Sequence, residues 1–396
     1  MDDEKTVPRQ TIRKILVRDY VLSFFAFFSF LLAFHALTPT LPIYLDMMGS
    51  DKTEVGVLVG TIGIASLISR FLVGKILLRY SERLVMIWGA ALFALSFLAL
   101  IVFRPFWPLF VVRLVQGIAF ASIDTSAVAY GIKIVPLAYR ARALSYFLLA
   151  PPLASAIAAS SGVFVVNRWG FVVLLAACTG VCLCAFFLSW KLKKLKTTGP
   201  AVVSPVKNSF FIERKILVPA VVNFLYFFCW GAVMAFFPLY AVKCGVANPG
   251  FFFSANAVML IISRLLGGRV FDSYGKEKTI ITTAFVLFIA FVMLSFSRTL
   301  PFFILVGMFW GVGSAFFLPV TMAYALEYAG SSDGTTVSTF QASMDLGLAL
   351  GPIVAGIFVP LIGYQAVFFF LGLVCFVNIG YFQFYVRRKG RASLTV

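Results

Sequence analysis

The sequence predicts an all-α integral membrane protein whose twelve spanning helices form two pseudo-symmetric six-helix bundles. Three observations predict this fold class. Of the 396 residues, 61% are hydrophobic and only 12% are charged, whereas a soluble domain carries about 25% charged residues. Apolar runs of about 20 residues, the length of a spanning helix, recur along the chain, and the alternating pattern of a membrane β-barrel does not. The second half of the chain also repeats the first at a near-constant offset.

Turn residues and charges divide the chain into twelve apolar segments. The predicted spans are 20–46, 53–78, 83–103, 106–133, 140–166, 170–190, 215–243, 250–274, 278–297, 300–328, 335–362 and 364–387. The first apolar segment is longer than the apolar region of a signal peptide, about 7–15 residues, so we expect it to remain as a span. The predicted units are an N-terminal segment 1–19, a bundle 20–190, a basic linker 191–214, a bundle 215–387 and a tail 388–396.

The distribution of Lys and Arg predicts the orientation. Basic residues cluster in the N-terminal segment, in the connections after spans 2, 4 and 8, in the linker and in the tail, whereas each connection on the opposite side holds at most one. The positive-inside rule therefore predicts that both termini are cytoplasmic. The net charge of +18 follows from this topology and from contact with anionic membrane lipids, so we expect no nucleic-acid partner. Because no extended outer loop is present, we predict a bacterial inner membrane.

The internal repeat extends over all six spans of each half. The segment "LPIYLDMMG" (Leu41–Gly49) matches "FPLYAVKCG" (Phe237–Gly245) at an offset of 196, and Gly170-Phe171 matches Gly363-Tyr364 at 193. Gly117 and Ala129-Tyr130 match Gly311 and Ala323-Tyr324 at 194. Duplicated bundles are typical of secondary transporters, in which the substrate binds near the midplane between the repeats.

One loop appears twice, with an acid in the second copy alone. "VGKILLRYSERL" (73–84) corresponds to "GGRVFDSYGKEK" (267–278), and Leu78 occupies the position of Asp272. Both copies follow the tripeptide Ile-Ser-Arg, which ends at Arg70 and Arg264. We predict that these two arginines are structural clamps between helices.

Three motifs carry a resemblance to the major facilitator superfamily over essentially the whole chain. "GGRVFDSYGKEK" resembles its loop motif G-x-x-x-D-x-x-G-[RK], and "LFVVRLVQGIAFA" (109–121) resembles the L-x-x-x-R-x-x-Q-G motif of span 4. "LGLALGPIVAG" (346–356) resembles the Gly-Pro motif of proton-coupled antiporters. In those antiporters the motif lies on span 5, whereas here it lies on span 11. The resemblance implies a superfamily fold with a central cavity that span 1 helps to line.

The resemblance also predicts a conformational gate. In this superfamily the loop aspartate lies beside the N-terminus of a helix in the opposite half, where the helix dipole favours an anion. We expect Asp272 to face the start of span 5 and to pair with Arg140 and Arg142. At the symmetric contact we predict that Asp333 pairs with Arg79; the alternative is that the first loop has drifted. The predicted gate residues are Gly268, Asp272, Gly275, Arg140, Arg142, Arg79, Asp333, Gly351 and Pro352.

Four charged or titratable residues lie deep in predicted spans, where a charge costs at least about 2.5–3.5 kcal/mol. Asp124 and Asp345 fall near the midplane, Arg113 lies in the outer part of span 4, and His35 is in the middle of span 1. We predict a proton-coupling role for all four, since a desolvated carboxylate or an imidazole can exchange protons near neutral pH. The alternative for each acid and for His35 is a structural, hydrogen-bonded role. In relatives the span 4 arginine is assigned to proton coupling.

The remaining polar and aromatic residues of the presumed cavity suit a moderately apolar, cationic or zwitterionic organic solute. The predicted substrate-binding residues are Tyr44, Gln116, Asn223, Tyr226, Trp230, Asn256, Tyr324 and Gln341. The sequence therefore predicts a monomeric, proton-driven exporter of a small drug-like, metabolite-like or siderophore-like substrate. The alternative is a proton symporter that imports a polar metabolite. No catalytic or nucleotide-binding motif is present, so we expect neither enzyme activity nor a cofactor or metal.

Overall fold

The structure is a computed structural model that describes residues 15–195, 216–329 and 333–393. Within these ranges, the side chains of 141, 268–274, 328, 333–335 and 387–393 lie outside the description. Most of the predicted linker 191–214 and most of the N-terminal segment 1–19 therefore fall outside the described residues.

Twelve membrane-length helices account for nearly all of the described chain, which confirms the predicted fold class. They are α1 (Arg18–Met47), α2 (Lys52–Ile76), α3 (Glu82–Val102), α4 (Phe106–Lys133), α5 (Ala150–Trp169), α6 (Phe171–Trp190), α7 (Leu217–Lys243), α8 (Gly250–Tyr274), α9 (Lys276–Phe296), α10 (Leu300–Ala329), α11 (333–362) and α12 (364–393). The last two follow each other without a loop and are separated by a kink at Gly363, where φ is 82° and ψ is 165°.

The predicted fifth span is not one helix. A short helix, Arg140–Phe147, precedes α5, and Leu148 and Leu149 form a turn between the two helices. Pro151 and Pro152 explain the break, because proline has no N–H to donate to the preceding turn and its ring disfavours a helical residue before it. The same prolines are tolerated in the first turn of α5, where the N–H groups need no partner within the helix.

The backbone repeats as the sequence does. Gly49 and Gly245 have φ values of 86° and 80°, and Gly170 and Gly363 have values of 86° and 82°. These are left-handed conformations that glycine adopts without strain. The turns after α1 and α7, and those between α5 and α6 and between α11 and α12, are therefore equivalent in the two repeats.

Helix packing within each repeat is equivalent too. A Cβ placed on Gly117 of α4 would lie 2.4 Å from the Ala65 Cβ and 2.8 Å from the Ile62 carbonyl oxygen of α2. A Cβ on Gly311 of α10 would lie 2.4 Å from the Asn256 carbonyl oxygen and 2.9 Å from the Met259 Cβ of α8. All of these residues correspond at an offset of 194, so α4 crosses α2 in the same way as α10 crosses α8.

The duplicated loops differ in their backbone as well as in the aspartate. α8 continues to Tyr274 and turns at Gly275, where φ is 79°. In the first copy Ser81 occupies the position of Gly275, and α2 ends at Ile76, four residues before Tyr80, the counterpart of Tyr274. Without the glycine the chain needs a longer turn, so the first loop cannot present its residues as the second does.

The two repeats meet along glycine-lined seams. On α2, a Cβ at Gly56 would lie 2.4 Å from the Pro352 carbonyl oxygen, and one at Gly60 would lie 2.3 Å from that of Ala349 on α11. Between α5 and α8, a Cβ at Gly250 would lie 2.2 Å from the Ala159 carbonyl oxygen. These contacts lie in the half of the bundle predicted to face outside. The helices approach backbone to backbone there, as small residues allow in membrane proteins.

Hydrogen bonds reinforce the seam between α5 and α8. Asn248 donates its side-chain amide to the Ser160 carbonyl oxygen at 3.0 Å, and the Ser254 hydroxyl lies 3.1 Å from the Ser160 hydroxyl. Asn167 donates to the Ala247 carbonyl oxygen at 2.7 Å. The described structure is therefore closed at its predicted outer end.

We predict that Gly117→Val and Gly311→Val destabilise the protein to a similar extent, by about 1–3 kcal/mol each, because either side chain would overpack an α2–α4 or α8–α10 crossing. Gly180→Val is the matched control, since nothing lies within 4 Å of a Cβ at Gly180. The apparent Tm of the detergent-solubilised variants measures the effect. Equal Tm values for Gly117→Val and Gly180→Val would contradict the packing argument.

Candidate coupling site and central cavity

An arginine on α2 joins two acids from different helices. The Arg70 Nη1 donates to Asp124 Oδ2 on α4 at 2.7 Å, and its Nε donates to Asp345 Oδ2 on α11 at 2.6 Å. Ser66, one turn earlier on α2, lies 3.4 Å from the same Asp345 oxygen. Among the ion pairs of the described residues, Arg70–Asp345 is the one that crosses between the repeats. The two predicted acids are thus brought together through a third residue.

The three charges are largely removed from water. The Asp345 side chain is 3% exposed, that of Arg70 is 14% exposed and that of Asp124 is 25% exposed. One guanidinium faces two carboxylates, so the cluster carries a formal charge of −1 when both acids are ionised. The Oδ1 atom of each acid makes none of these bonds, and the Arg70 Nη2 is buried without a hydrogen-bond partner. The cluster therefore has unused capacity for a proton or another polar group.

Arg113 is not the partner of either acid. It donates to the Leu58 carbonyl oxygen at 2.8 Å, to Gln116 Oε1 at 2.6 Å and to the Val59 carbonyl oxygen at 3.4 Å. We predicted a proton-coupling role for Arg113. The structure instead pairs the acids with Arg70, which the sequence indicated only as a structural clamp.

His35 lies apart from the acids. Its ring is 5.3 Å from the ring of Phe34, its neighbour in the chain, and it is partly buried. His35 is not among the described residues that line the central cavity. Its proton-coupling role stays a prediction that this geometry does not support.

A cavity of about 80 Å³ lies between the repeats. It is lined by Phe34, Leu37, Thr38, Leu41, Val59, Ile62, Gly63, Ser66, Arg113, Phe120, Gly231, Met234, Asp345, Leu348 and Pro352. Sites for drug-sized ligands enclose about 300–1,000 Å³, so a substrate of that size requires the repeats to separate. The walls are mostly apolar, with Arg113 and Asp345 as the charged members.

The eight predicted substrate residues do not line this cavity among the described residues, although Gln116 contacts Arg113. Asn223 joins α7 to α11 by donating to the Phe340 carbonyl oxygen at 3.1 Å and to the Ser343 hydroxyl at 2.9 Å. Tyr44 donates to the Leu100 carbonyl oxygen at 3.3 Å within the first repeat. These two side chains have structural partners.

The aromatic members of the predicted set pack inside the second repeat. The rings of Trp230 and Trp310 are 5.1 Å apart, and those of Tyr226 and Phe317 are 4.8 Å apart. The Tyr324 hydroxyl lies 3.3 Å from Glu277. Gln341 on α11 is partly buried, and Asn256 on α8 is buried.

The sequence did not identify the apolar residues that line the cavity, because the same residue types also face lipid.

Only some of the predicted gate residues are among those that the structure describes. Gly351 packs tightly on α7, since a Cβ there would lie 2.0 Å from the Phe228 carbonyl oxygen, and Pro352 lines the cavity. The Gly-Pro motif therefore contacts both repeats. Arg140 donates to the Val135 carbonyl oxygen at 3.3 Å. Gly268 and the side chains of Asp272 and Asp333 lie outside the description. The pairing of Asp272 with Arg140 and Arg142, and that of Asp333 with Arg79, therefore stay predictions.

Among the described residues, the second repeat shows no equivalent of the acid cluster. Arg264, the counterpart of Arg70, donates to the Ala315 carbonyl oxygen on α10 at 3.1 Å. The counterparts of Asp124 and Asp345 are Leu318 and Pro152, at offsets of 194 and 193. Arg264 is a clamp between helices, as predicted, whereas Arg70 is a clamp that also holds two acids.

The family model for the Major Facilitator Superfamily matches residues 23–255 and 220–395, which together cover both repeats. The chain belongs to the major facilitator superfamily. Relatives of the chain are named as an MFS-type transporter, an export protein and a multidrug resistance protein, and the protein is a multi-pass membrane transporter.

Several relatives are similar at low identity. The staphylopine export protein of Staphylococcus aureus is 22% identical, over 87% of this chain and 91% of its own. Multidrug resistance protein 2 of Bacillus subtilis is 24% identical, over 90% of this chain and 92% of its own. An uncharacterized MFS-type transporter of Methanocaldococcus jannaschii is 26% identical, but the match spans only 41% of this chain and 43% of that relative.

Solved structures show the same fold. The nucleoside transporter NupG superposes with a TM-score of 0.77 at 12% identity, over 93% of this chain and 98% of its own. At this identity the similarity shows the superfamily fold and carries nothing about the substrate.

We predict that Arg70→Gln destabilises the protein by about 3–5 kcal/mol, because two carboxylates then share a desolvated site without a cation. Arg264→Gln removes the same group from the symmetric position and should cost less, because no described acid pairs with Arg264. Adding Asp345→Asn to Arg70→Gln should recover part of the loss. Thermal unfolding in detergent measures all three, and a cost for Arg264→Gln equal to that of Arg70→Gln would contradict the assignment.

Proposed function

We propose that this transporter exports a small organic solute in exchange for protons, by alternating access to the central cavity. The observation that carries the proposal is the position of Arg70. It bonds Asp124 in its own repeat and Asp345 in the opposite repeat. An ion pair between the two repeats can link protonation of an acid to the relative position of the repeats.

The proposed step is a change in the charge of Asp345. When this acid is ionised, Arg70 holds α11 against α2, and Ser66 supports the same carboxylate oxygen. Protonation removes the charge of Asp345 and weakens the bond across the repeats, while Asp124 keeps Arg70 neutralised within the first repeat. A proton thus favours the state in which α2 and α11 separate, and its loss favours the state in which they close. Among the described residues, the charged groups that face Asp345 are Arg70 and Asp124, and Arg113 lines the same cavity.

Three observations support export as the direction. Two of the relatives that match nearly the whole chain are named as a staphylopine export protein and a multidrug resistance protein. The described cavity wall is mostly apolar, which suits a partly hydrophobic solute. The Gly-Pro motif, which resembles that of proton-coupled antiporters, lies at the contact of α11 with α7 and α2. We further propose that the protein is a monomer in a bacterial inner membrane. Both termini are proposed to lie in the cytoplasm, in agreement with the distribution of basic residues.

Substrate-driven proton flux tests the proposal. Proteoliposomes that contain a trapped pH dye would be exposed to a panel of siderophores, cationic drugs and amino acids. We expect proton movement opposite to substrate movement, and we expect Asp345→Asn to abolish it by removing the titrating group. Asp124→Asn should weaken coupling less, because Asp124 lies in the same repeat as Arg70.

Glu327→Gln is the matched control, because Glu327 is an exposed acid that pairs with Lys276 away from the cavity. This variant should retain the wild-type flux. Proton movement in the same direction as the substrate would identify an importer and overturn the proposed export. Flux that Asp345→Asn leaves unchanged would overturn the proposed coupling role of the cluster.

A further inference from the structure

The cavity carries two opposite charges at different depths. Arg113 contacts the α2 backbone at Leu58 and Val59, and Asp345 contacts α2 at Ser66 and Arg70. Seven to twelve residues of helix separate these levels, which corresponds to about 10–18 Å along the α2 axis. Both Arg113 and Asp345 line the same cavity.

Arg113 is a buried cation with neutral partners. Its side chain makes three hydrogen bonds, to two carbonyl oxygens and to Gln116 Oε1, whereas a guanidinium has five N–H donors. Arg113 is 5% exposed, and no described ion pair includes it. A cation in this position is costly unless an anion joins it.

Gln116 does not itself line the cavity, but it adds a second unsatisfied donor beside Arg113. It is fully buried, its Oε1 accepts from Arg113, and its Nε2 has no hydrogen-bond partner. A buried amide donor without an acceptor is also unfavourable. Spare donors of a cation and of an adjacent amide are what a carboxylate with two acceptor oxygens would satisfy.

The other end of the cavity has the complementary character. The cluster of Arg70, Asp124 and Asp345 has a formal charge of −1, and the Oδ1 atoms of both acids are not used in its ion pairs. An ammonium group can bind there and restore neutrality. Between the two ends the wall is apolar and includes Phe34, Phe120 and Met234.

We infer that the substrate is an amphipathic zwitterion, with a carboxylate at Arg113 and Gln116, an amine at the Asp345 cluster and an apolar body between them. The inference rests on the proposed function and names the substrate class of the same cavity. After one hydrogen-bond length of about 3 Å is subtracted at each end, the charges of the ligand should lie about 4–12 Å apart. An α-amino acid is too short for this spacing, whereas a compound with the two groups at opposite ends of a ring fits it. The proton and the amine would then compete for the same negative charge.

The test compares three probes of nearly identical shape. Para-(aminomethyl)benzoate has both charges, para-methylbenzoate has only the carboxylate, and para-methylbenzylamine has only the amine. Binding to the purified wild-type protein in nanodiscs would be measured by titration calorimetry without a proton gradient. We expect the zwitterion to bind at least about ten-fold more tightly than either analogue, since each end adds a charge-assisted hydrogen bond.

A variant identifies the carboxylate end. Gln116→Glu places a carboxylate of the protein beside Arg113 and should abolish the preference for the zwitterion over para-methylbenzylamine. Gln365→Glu, which adds the same charge at the start of α12, should leave that preference unchanged. Equal affinity for the three probes, no binding of the zwitterion, or a preference that survives Gln116→Glu would overturn the inference.

The wild-type comparison does not depend on the folding of any variant. It is also independent of the liposome measurement. Proton exchange with other solutes but no preference for the zwitterion would reject the substrate class and retain the proposed function. A clear preference for the zwitterion without proton movement would retain the substrate class and reject the proposed proton exchange.

Discussion

The interaction on which the arrangement depends is the placement of one arginine between two acids that belong to different repeats. A single Arg70 guanidinium neutralises Asp124 within its own repeat and Asp345 across the cavity. Since an unpaired charge in a membrane interior is costly, a change in the protonation of either acid alters the balance of the remaining bonds. The glycine seams determine how closely the repeats can approach, and this ion pair adds to them a contact that depends on a proton.

Duplication gives the protein two copies of one scaffold with different chemistry in each. The crossings at Gly117 and Gly311 are equivalent in geometry, yet the charged residues Arg113 and Asp124 correspond to Gly307 and Leu318. Gln116 corresponds to Trp310, which packs among aromatic rings. The first repeat therefore holds the buried charges of α4, and the second repeat supplies aromatic packing at the same positions. The duplicated loop shows a similar divergence, because Ser81 in place of Gly275 changes the course of the backbone as well as the charge.

The fold could be predicted from the sequence because its determinants are local. Apolar length gives the spans, Gly170 and Gly363 mark equivalent turns, and the repeat gives the symmetry. The break before α5 was missed, although Pro151 and Pro152 are sufficient to explain it. The site was only half predictable. Asp124 and Asp345 were found because buried charges are costly, but their partner Arg70 resembled a structural residue until its contacts were known. The cavity wall was not predictable, since residues such as Phe34 and Leu348 look the same in sequence whether they face lipid, core or substrate.

The seam between α2 and α11 has a consequence for the energetics of transport. Where Gly56 and Gly60 meet the carbonyl oxygens of Pro352 and Ala349, neither glycine has a side chain that must change rotamer or be resolvated when the helices part. The work of opening that surface is then mostly the loss of van der Waals contact, which decreases gradually with separation and does not favour one intermediate position. A mobile interface of this kind has little intrinsic preference for either access state. The charges at its predicted inner end, and whatever the cavity holds, can therefore decide the direction with only a few kilocalories per mole.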